Sequence, residues 1–173
     1  MNRTFLTIWA VATLGVGGAA WWYLFSAGSV PPGHMPLADE AAFREAFQKG
    51  VAKNRIVALV SPTTPADLVM VQGLQSLLTE YENDTLDAHV IWQQMVQTDW
   101  APTTDAMARV WDVRARHYWD KKRALRAALG EGRILIYARG AGLEAPALRI
   151  SDWERDLPKV REFLGTPKKM QLQ

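Results

Sequence analysis

The sequence contains no cysteine. Thiolate metal sites, iron–sulfur clusters, cysteine nucleophiles and dithiol redox cycles all require that residue, so this chain cannot supply them alone. A strong excess of positive charge is also missing, because the formal net charge is only +2. Proteins that bind nucleic acid ordinarily carry a larger basic excess, so we do not expect nucleic acid to be a partner.

Motifs of the common enzyme classes are missing as well. Ser61 lacks the Gly-x-Ser-x-Gly frame of serine hydrolases, and His34, His89 and His117 lack the His-x-x-x-His spacing of zinc sites. No glycine-rich phosphate-binding loop occurs in the sequence. Because 49% of the residues are apolar and 22% are charged, the composition is that of a globular protein. We therefore expect a folded protein that is not an enzyme and binds no metal, cofactor or small-molecule substrate.

A long run without charge extends from Phe5 to Phe25. At about 1.5 Å per residue a helix of this length spans roughly 30 Å, the thickness of the hydrocarbon core of a bilayer. Aromatic side chains that favour the headgroup level lie near its ends. They are Trp9, Trp21, Trp22 and Tyr23. The run predicts a transmembrane helix over residues 5–25 with these four residues as interface anchors.

Charge around this run predicts its orientation. Arg3 precedes it, and residues 26–38 contain no Lys or Arg. By the positive-inside rule, residues 1–4 stay in the cytoplasm and the rest of the chain lies outside it, on a single-pass protein of the cytoplasmic membrane. A cleaved signal peptide is the alternative, since small residues occur around Ser26. The length of the apolar run and its aromatic cluster favour a retained anchor.

Small residues within the run offer a packing surface. Gly15 and Ala19 are four residues apart, and Gly18 lies beside them. This spacing lets two helix backbones approach closely, which predicts contact with another transmembrane helix. Gly and Ala are also ordinary constituents of membrane spans, and that alternative stays open.

The remaining sequence predicts a linker over 26–36, one domain over 37–165 and a polar tail over 166–173. Proline and glycine are frequent in the linker. Apolar periodicity in the domain predicts helices from residue 37 onward and over 65–81, 104–111, 120–129 and 152–164. Short apolar runs predict strands over 55–60, 86–92, 134–138 and 147–150. This order predicts an α/β domain in which a mixed sheet of about four strands carries helices on both faces.

Two segments resemble the thioredoxin superfamily. Residues 57–67, Val-Ala-Leu-Val-Ser-Pro-Thr-Thr-Pro-Ala-Asp, resemble its first central strand, active-site loop and helix start, and residues 110–120 are similar to a stretch of thioredoxin-like proteins. The resemblance covers roughly residues 38–165 and implies a thioredoxin-like fold. Thr64 and Asp67 stand at the positions of the family's Cys-x-x-Cys pair. Gly132-Arg133 precedes the third central strand, where the family carries a proline. Both departures imply that dithiol chemistry has been lost.

Thr64 and Asp67 also fit a structural pattern. In Thr-Pro-Ala-Asp the threonine hydroxyl is expected to cap the helix that follows, and the aspartate is expected to reach back to the threonine N–H group. A second interpretation keeps this helix start as a binding site for an anion or a peptide. The negative charge of Asp67 disfavours the anion.

Residues 109–139 combine many basic side chains with aromatic ones. Tryptophan, tyrosine and arginine are enriched at protein interfaces, which predicts a docking patch for an acidic protein surface or for lipid headgroups. The alternative is a solvated helical face whose aromatic side chains point to the core. The residues of the predicted patch are Trp92, Trp100, Trp111, Arg114, Arg116, Tyr118 and Trp119.

These observations predict a non-catalytic accessory or assembly subunit of a larger membrane protein complex, with its domain outside the cytoplasm. Its expected partners are integral membrane proteins and membrane lipid; respiratory and photosynthetic complexes are the kind of host we expect. The alternative is a membrane-tethered chaperone for exported or cytochrome-maturation clients, which binds them at the loop over 61–67 without thiol exchange.

Overall fold

The computed structural model describes residues 40–81, 85–95 and 100–167. Within these ranges no helix is both long and apolar enough to cross a membrane. The predicted span over 5–25 lies outside the described residues, as does the linker. The same holds for the residues predicted to pack or anchor that span, which are Gly15, Gly18, Ala19, Trp9, Trp21, Trp22 and Tyr23.

The described part of the chain contains five helices and five strands. They are, in order, α1 (Glu40–Lys49), β1 (Asn54–Val60), α2 (Pro65–Glu80), β2 (Leu86–Gln93), α3 (Thr104–Met107), β3 (Ala115–Asp120), α4 (Ala124–Leu129), β4 (Ile134–Tyr137), β5 (Leu148–Ile150) and α5 (Trp153–Leu164).

The strands form one mixed sheet in the order β3-β2-β1-β4-β5. β1, β2 and β3 are parallel, and Val57 of β1 lies opposite His89 of β2. β4 is antiparallel to β1, and β5 is antiparallel to β4. The predicted α/β class with a mixed sheet is confirmed.

The described sheet has five strands, whereas the sequence predicts about four. The additional strand is the edge strand β3. Its sequence, Ala-Arg-His-Tyr-Trp-Asp, has neither a continuous apolar run nor a strict polar–apolar alternation, so the pattern predicts no strand there. The helix predicted from residue 120 begins at Ala124 instead. Asp120 ends β3, and its carboxylate accepts the N–H groups of Ala124 and Leu125 at 3.1 and 3.0 Å. The helix predicted over 104–111 is also shorter and ends at Met107.

Both faces of the sheet are covered, which explains why β1 and β2 are buried along almost their whole length. One face packs against α2, α3 and α5, through residues such as Leu74 and Val160. The other face packs against α1 and α4, through residues such as Phe47 and Leu129. We call these the α2–α5 face and the α1–α4 face.

Helices α2 and α5 approach each other closely at Gly73. A Cβ atom built on Gly73 would lie 2.1 Å from Nε1 of Trp153, at the start of α5. Glycine is therefore required by contact with the indole ring rather than by backbone conformation. This contact holds the start of α5 beside the first half of α2.

Candidate functional site

The turn between β1 and α2 is held by hydrogen bonds from its own residues. The Ser61 hydroxyl oxygen accepts the N–H groups of Thr63 and Thr64 at 3.2 and 3.1 Å. Oδ2 of Asp67, in the first turn of α2, accepts the Ser61 N–H group at 2.8 Å. A carboxylate at this position also faces the positive end of the helix dipole. In the turn where the resembling family carries its dithiol, the oxygen atoms of Ser61 and Asp67 thus bind backbone N–H groups of the turn itself.

Asp67 forms an ion pair with Arg133. Oδ1 of Asp67 lies 2.6 Å from Nη1 of Arg133, and the Asp67 side chain is 2% exposed, whereas that of Arg133 is 41% exposed. Arg133 directly precedes β4 and is fixed by its backbone. Its carbonyl accepts the Leu59 N–H group at 2.7 Å, and its N–H group donates to the Ile150 carbonyl at 2.9 Å. The ion pair therefore joins the start of α2 to the start of β4.

The predicted capping arrangement is wrong. Thr64 does occupy the N-cap position, with Pro65 following it, but the Thr64 side chain makes no capping hydrogen bond. The Asp67 N–H group instead donates to the Thr64 backbone carbonyl at 3.0 Å. The physical reason is that the carboxylate of Asp67 is already bound by Ser61 and Arg133, so it does not reach back to Thr64.

A groove of about 610 Å³ lies next to this ion pair. Met70 and Trp153 supply nearly buried apolar surface, and Val69 is 53% exposed. Charged groups, among them Asp152, Arg133 and Glu154, line it as well. Apolar surface with a few polar groups suits an apolar side chain flanked by a polar backbone, as in an extended peptide. Asp152 has a structural role too, because its carboxylate accepts the Arg155 N–H group and caps α5.

Chemistry at this site is limited by the side chains present. Two histidines of the described chain have their ring nitrogens engaged elsewhere, His89 with Tyr118, and His117 with Trp92 and Val110. Burial is the main cause that lowers the pKa of His89 to about 4. Within the described ranges, no group of three metal-binding side chains is close enough to hold an ion. The arrangement provides surfaces and an ion pair for binding.

The structure divides the predicted docking patch. Trp92 is fully buried, and its Nε1 donates to Nδ1 of His117 at 3.1 Å. Tyr118 is also buried and its hydroxyl lies 3.0 Å from Nδ1 of His89. Arg114 points inward, where it binds Asp112 and donates to the carbonyls of the last turn of α2. These three side chains stabilise the domain and do not form part of a surface.

The other four residues of the predicted patch remain accessible to different extents. Trp100 and Trp111 are 82% and 72% exposed, Arg116 is exposed, and Trp119 is half-buried against the α2–α5 core. Next to Trp111, Val113 is 97% exposed. The patch as predicted is therefore corrected to a set of separate exposed positions.

Sequence reasoning missed Arg133 as a site residue. The available signal was the Gly132-Arg133 pair at the position where the resembling family has a proline. Arg133 faces Asp67, the residue that stands where the family has its second cysteine. The two residues are 66 positions apart, so their pairing becomes visible only in the folded chain.

No protein-family model and no curated protein matches this chain. Eight chains of solved structures are similar to it, including the following three. The thioredoxin domain of a thiol-disulfide oxidoreductase from Bacteroides vulgatus is 13% identical, with a TM-score of 0.45 over 65% of this chain and 82% of its own. A proposed thioredoxin from Neisseria meningitidis is 9% identical, with a TM-score of 0.46 over 65% of this chain and 75% of its own. A secreted disulfide oxidoreductase from Mycobacterium tuberculosis is 12% identical, with a TM-score of 0.40 over 60% of this chain and 78% of its own.

The fold of the described residues is a mixed α/β sheet with helices on both faces. The parallel pair of β1 and β2 and the antiparallel β4 and β5 agree with the mixed sheet that the sequence predicts, and the parallel edge strand β3 is an addition to it. The absence of cysteine separates this chain from a dithiol mechanism.

Proposed function

We propose that this chain is a non-catalytic accessory subunit of a larger membrane protein complex, carried by the predicted span and binding through its thioredoxin-like domain. The Asp67–Arg133 ion pair supports the non-catalytic part of this proposal. Both oxygens of Asp67 are engaged, one by Arg133 and one by the Ser61 N–H group. Asp67, at the position that the family uses for thiol exchange, therefore serves to hold the start of α2 against the start of β4.

Exposed apolar side chains support a binding role. Trp111, Trp100 and Val113 are 72%, 82% and 97% exposed, so each offers apolar surface that a partner could cover. Tryptophan is enriched among the residues that contribute most to protein interfaces. The predicted small-residue face of the span, at Gly15 and Ala19, would add a second contact within the bilayer.

A second function, a chaperone that holds unfolded or extended clients, is favoured by one specific observation. The groove beside Arg133 has an apolar base at Met70 and Trp153 and a charged rim. Such a groove suits a client segment with an apolar side chain. In this function the client binds in the groove, and the predicted span only attaches the domain to the membrane.

Purification of the tagged full-length chain in mild detergent, followed by native mass spectrometry, tests the first function. A stoichiometric complex with fixed membrane partners is the expected result. Gly15→Leu with Ala19→Leu should release those partners, since bulky side chains prevent close helix contact. A monomer, or a mixture of substoichiometric clients, contradicts the accessory-subunit role.

Two matched variants distinguish the groove from the span. Val69→Asp places a charge in the groove, and Val51→Asp places the same charge at an exposed position outside it. For a chaperone, Val69→Asp alone should abolish capture of clients, while the variants at Gly15 and Ala19 should leave it unchanged. For a subunit carried by its span, Val69→Asp should leave the complex intact.

A further inference from the structure

Four basic residues lie at one corner of the domain, where β3 passes into α4. They are Lys121, Lys122, Arg123 and Arg126, and we call them the basic corner. The first three are exposed and Arg126 is half-buried. The acidic residue next to them, Asp120, is 4% exposed, and its carboxylate accepts from Gln93 and from two backbone N–H groups of α4. The charge that faces solvent at this corner is therefore mainly positive.

Hydrogen bonds fix the backbone of the corner. Arg123 adopts the left-handed conformation, with φ at 55°, and its guanidinium donates to the carbonyls of Gln94 and Met95. Nη1 of Arg126 lies 3.8 Å from Sδ of Met95. The two lysines are left with no ion pair among the residues that the structure describes. Two unpaired lysines on a fixed turn are suited to a ligand of opposite charge.

The corner lies at the end of the sheet where α1 begins. Phe47, near the end of α1, packs on Tyr137 with ring centroids 4.9 Å apart, and Tyr137 pairs with Arg55 at the start of β1. Phe43, one turn earlier in α1, packs on Tyr118 of β3 at 6.0 Å. Helix α1 thus runs from the carboxyl end of the parallel strands to their amino end. Since β3 is parallel to β1, its own carboxyl end, with the corner, is at the same end as Glu40.

The chain reaches this end from the predicted membrane span. Residues 26–39 separate that span from α1 and reach at most about 50 Å when fully extended. A tether of this length keeps the local concentration of membrane surface high, so weak contacts are sufficient for docking.

We propose that the basic corner binds anionic lipid headgroups of the membrane that carries the span, which sets the orientation of the domain. The proposal rests on the membrane anchoring in the proposed function. Each Lys or Arg near an anionic bilayer favours the docked state by about fivefold, so Lys121 and Lys122 together contribute about 30-fold. The docked fraction should decrease as salt is added.

The absence of cysteine makes a direct test practical. We would place the full chain in lipid nanodiscs of phosphatidylcholine, with or without phosphatidylglycerol, and attach an environment-sensitive fluorophore to a single introduced cysteine. Ala124→Cys reports at the corner, and Ala145→Cys, in an exposed loop at the opposite end of the sheet, is the control. We expect a blue-shifted signal at position 124 only in the anionic discs.

Charge variants complete the test. Lys121→Gln with Lys122→Gln should lower the docked-to-free ratio about 30-fold. Lys49→Gln with Arg139→Gln removes the same charge at the opposite end and should leave the ratio unchanged. These variants replace exposed side chains, so folding is checked by an unchanged circular dichroism spectrum.

Each contrary outcome has a distinct meaning. A chain that does not enter discs of either composition overturns the membrane anchoring in the proposed function, and this inference with it. A chain that enters the discs but shows equal signals with and without anionic lipid overturns this inference alone. If the lysine variant keeps the lipid response but loses a co-purifying protein, the corner binds a protein and the lipid proposal is wrong.

Discussion

The two faces of the sheet are built from different kinds of side chain. The α2–α5 face is packed mainly with aliphatic residues such as Ile56 and Leu77, whose interactions depend on shape. The α1–α4 face contains aromatic rings together with buried polar groups, including His89 and Arg55. Buried polar groups require hydrogen bonds, so the second face depends on the exact position of its partners. One face is therefore sensitive to volume and the other to charge and hydrogen bonding.

Arg55 illustrates the second face. Its side chain is fully buried and donates to the carbonyls of Phe47, Ala138 and Ala141 at 3.3, 3.1 and 2.7 Å. Its guanidinium carbon lies 4.1 Å from the centre of the Phe47 ring. Burial lowers the pKa of Arg55 below its usual range, while the nearby charges of Tyr137 and Asp87 act in the opposite direction. The residue joins α1 to the loop after β4.

The largest expected effect is for Arg55→Ala. The substitution leaves three carbonyl groups without their donor and removes the contact with the Phe47 ring. We expect the free energy of unfolding to fall by about 4 kcal/mol, measured by urea denaturation. Arg139→Ala, at an exposed position, should change it by less than about 0.5 kcal/mol. Equal small losses for the two variants would contradict the role of Arg55.

Acid should destabilise the α1–α4 face through His89. Its pKa is lowered from 6.5 to about 4, mainly by burial and then by Arg116. Between these values the unfolded chain binds a proton that the folded chain does not, so stability is complete above pH 6.5 and falls towards pH 4. The expected loss is about 3 kcal/mol. Stability of His89→Gln, measured across the same pH range, should lack this contribution; an identical slope in the two proteins would refute the assignment.

Gly73→Ala tests the α2–α5 face, where volume matters. The added methyl group would collide with Trp153, although alanine is intrinsically favoured in a helix by about 1 kcal/mol. We expect a net loss of about 2 kcal/mol in thermal or urea denaturation, because overpacking costs more than the gain in helix propensity. Ser76→Ala, on the exposed side of the same helix, is the control. A stabilised Gly73→Ala protein would show that α5 is free to move away from α2.

The smallest effect should come from the Asp67–Arg133 ion pair between the start of α2 and the start of β4. Asp67→Asn keeps a side-chain oxygen for the Ser61 N–H group and removes the charge that attracts Arg133. Because Arg133 is 41% exposed, solvent screens the pair, and we expect a loss of about 1 kcal/mol in the same denaturation assays. Arg133→Gln should cost a similar amount. Additive losses in the double variant would mean that the two side chains do not interact.

Much of the α2–α5 face could be predicted from the sequence. β1, β2 and α2 were expected within a residue or two of their bounds, because buried runs and helical periodicity are local signals. β3 was missed because two polar residues followed by two aromatic ones form neither a continuous apolar run nor a regular alternation. The candidate site was predicted only in part: Thr64 and Asp67 were singled out, but the partner of Asp67 is 66 residues away. Contacts at that separation depend on the order of the strands, which local patterns do not contain.

The central place of β1 in the sheet has a consequence for how the chain is made. Its partner on one side, β2, follows after a single helix, whereas its partner on the other side, β4, begins only at Ile134. A ribosome that has not yet released that segment holds a chain with one bare, strongly apolar strand edge. Such an edge readily pairs with other chains, so a chain truncated before Ile134 should aggregate. Until β4 has been synthesised, protection of β1 therefore depends on the ribosome and on factors bound to the nascent chain.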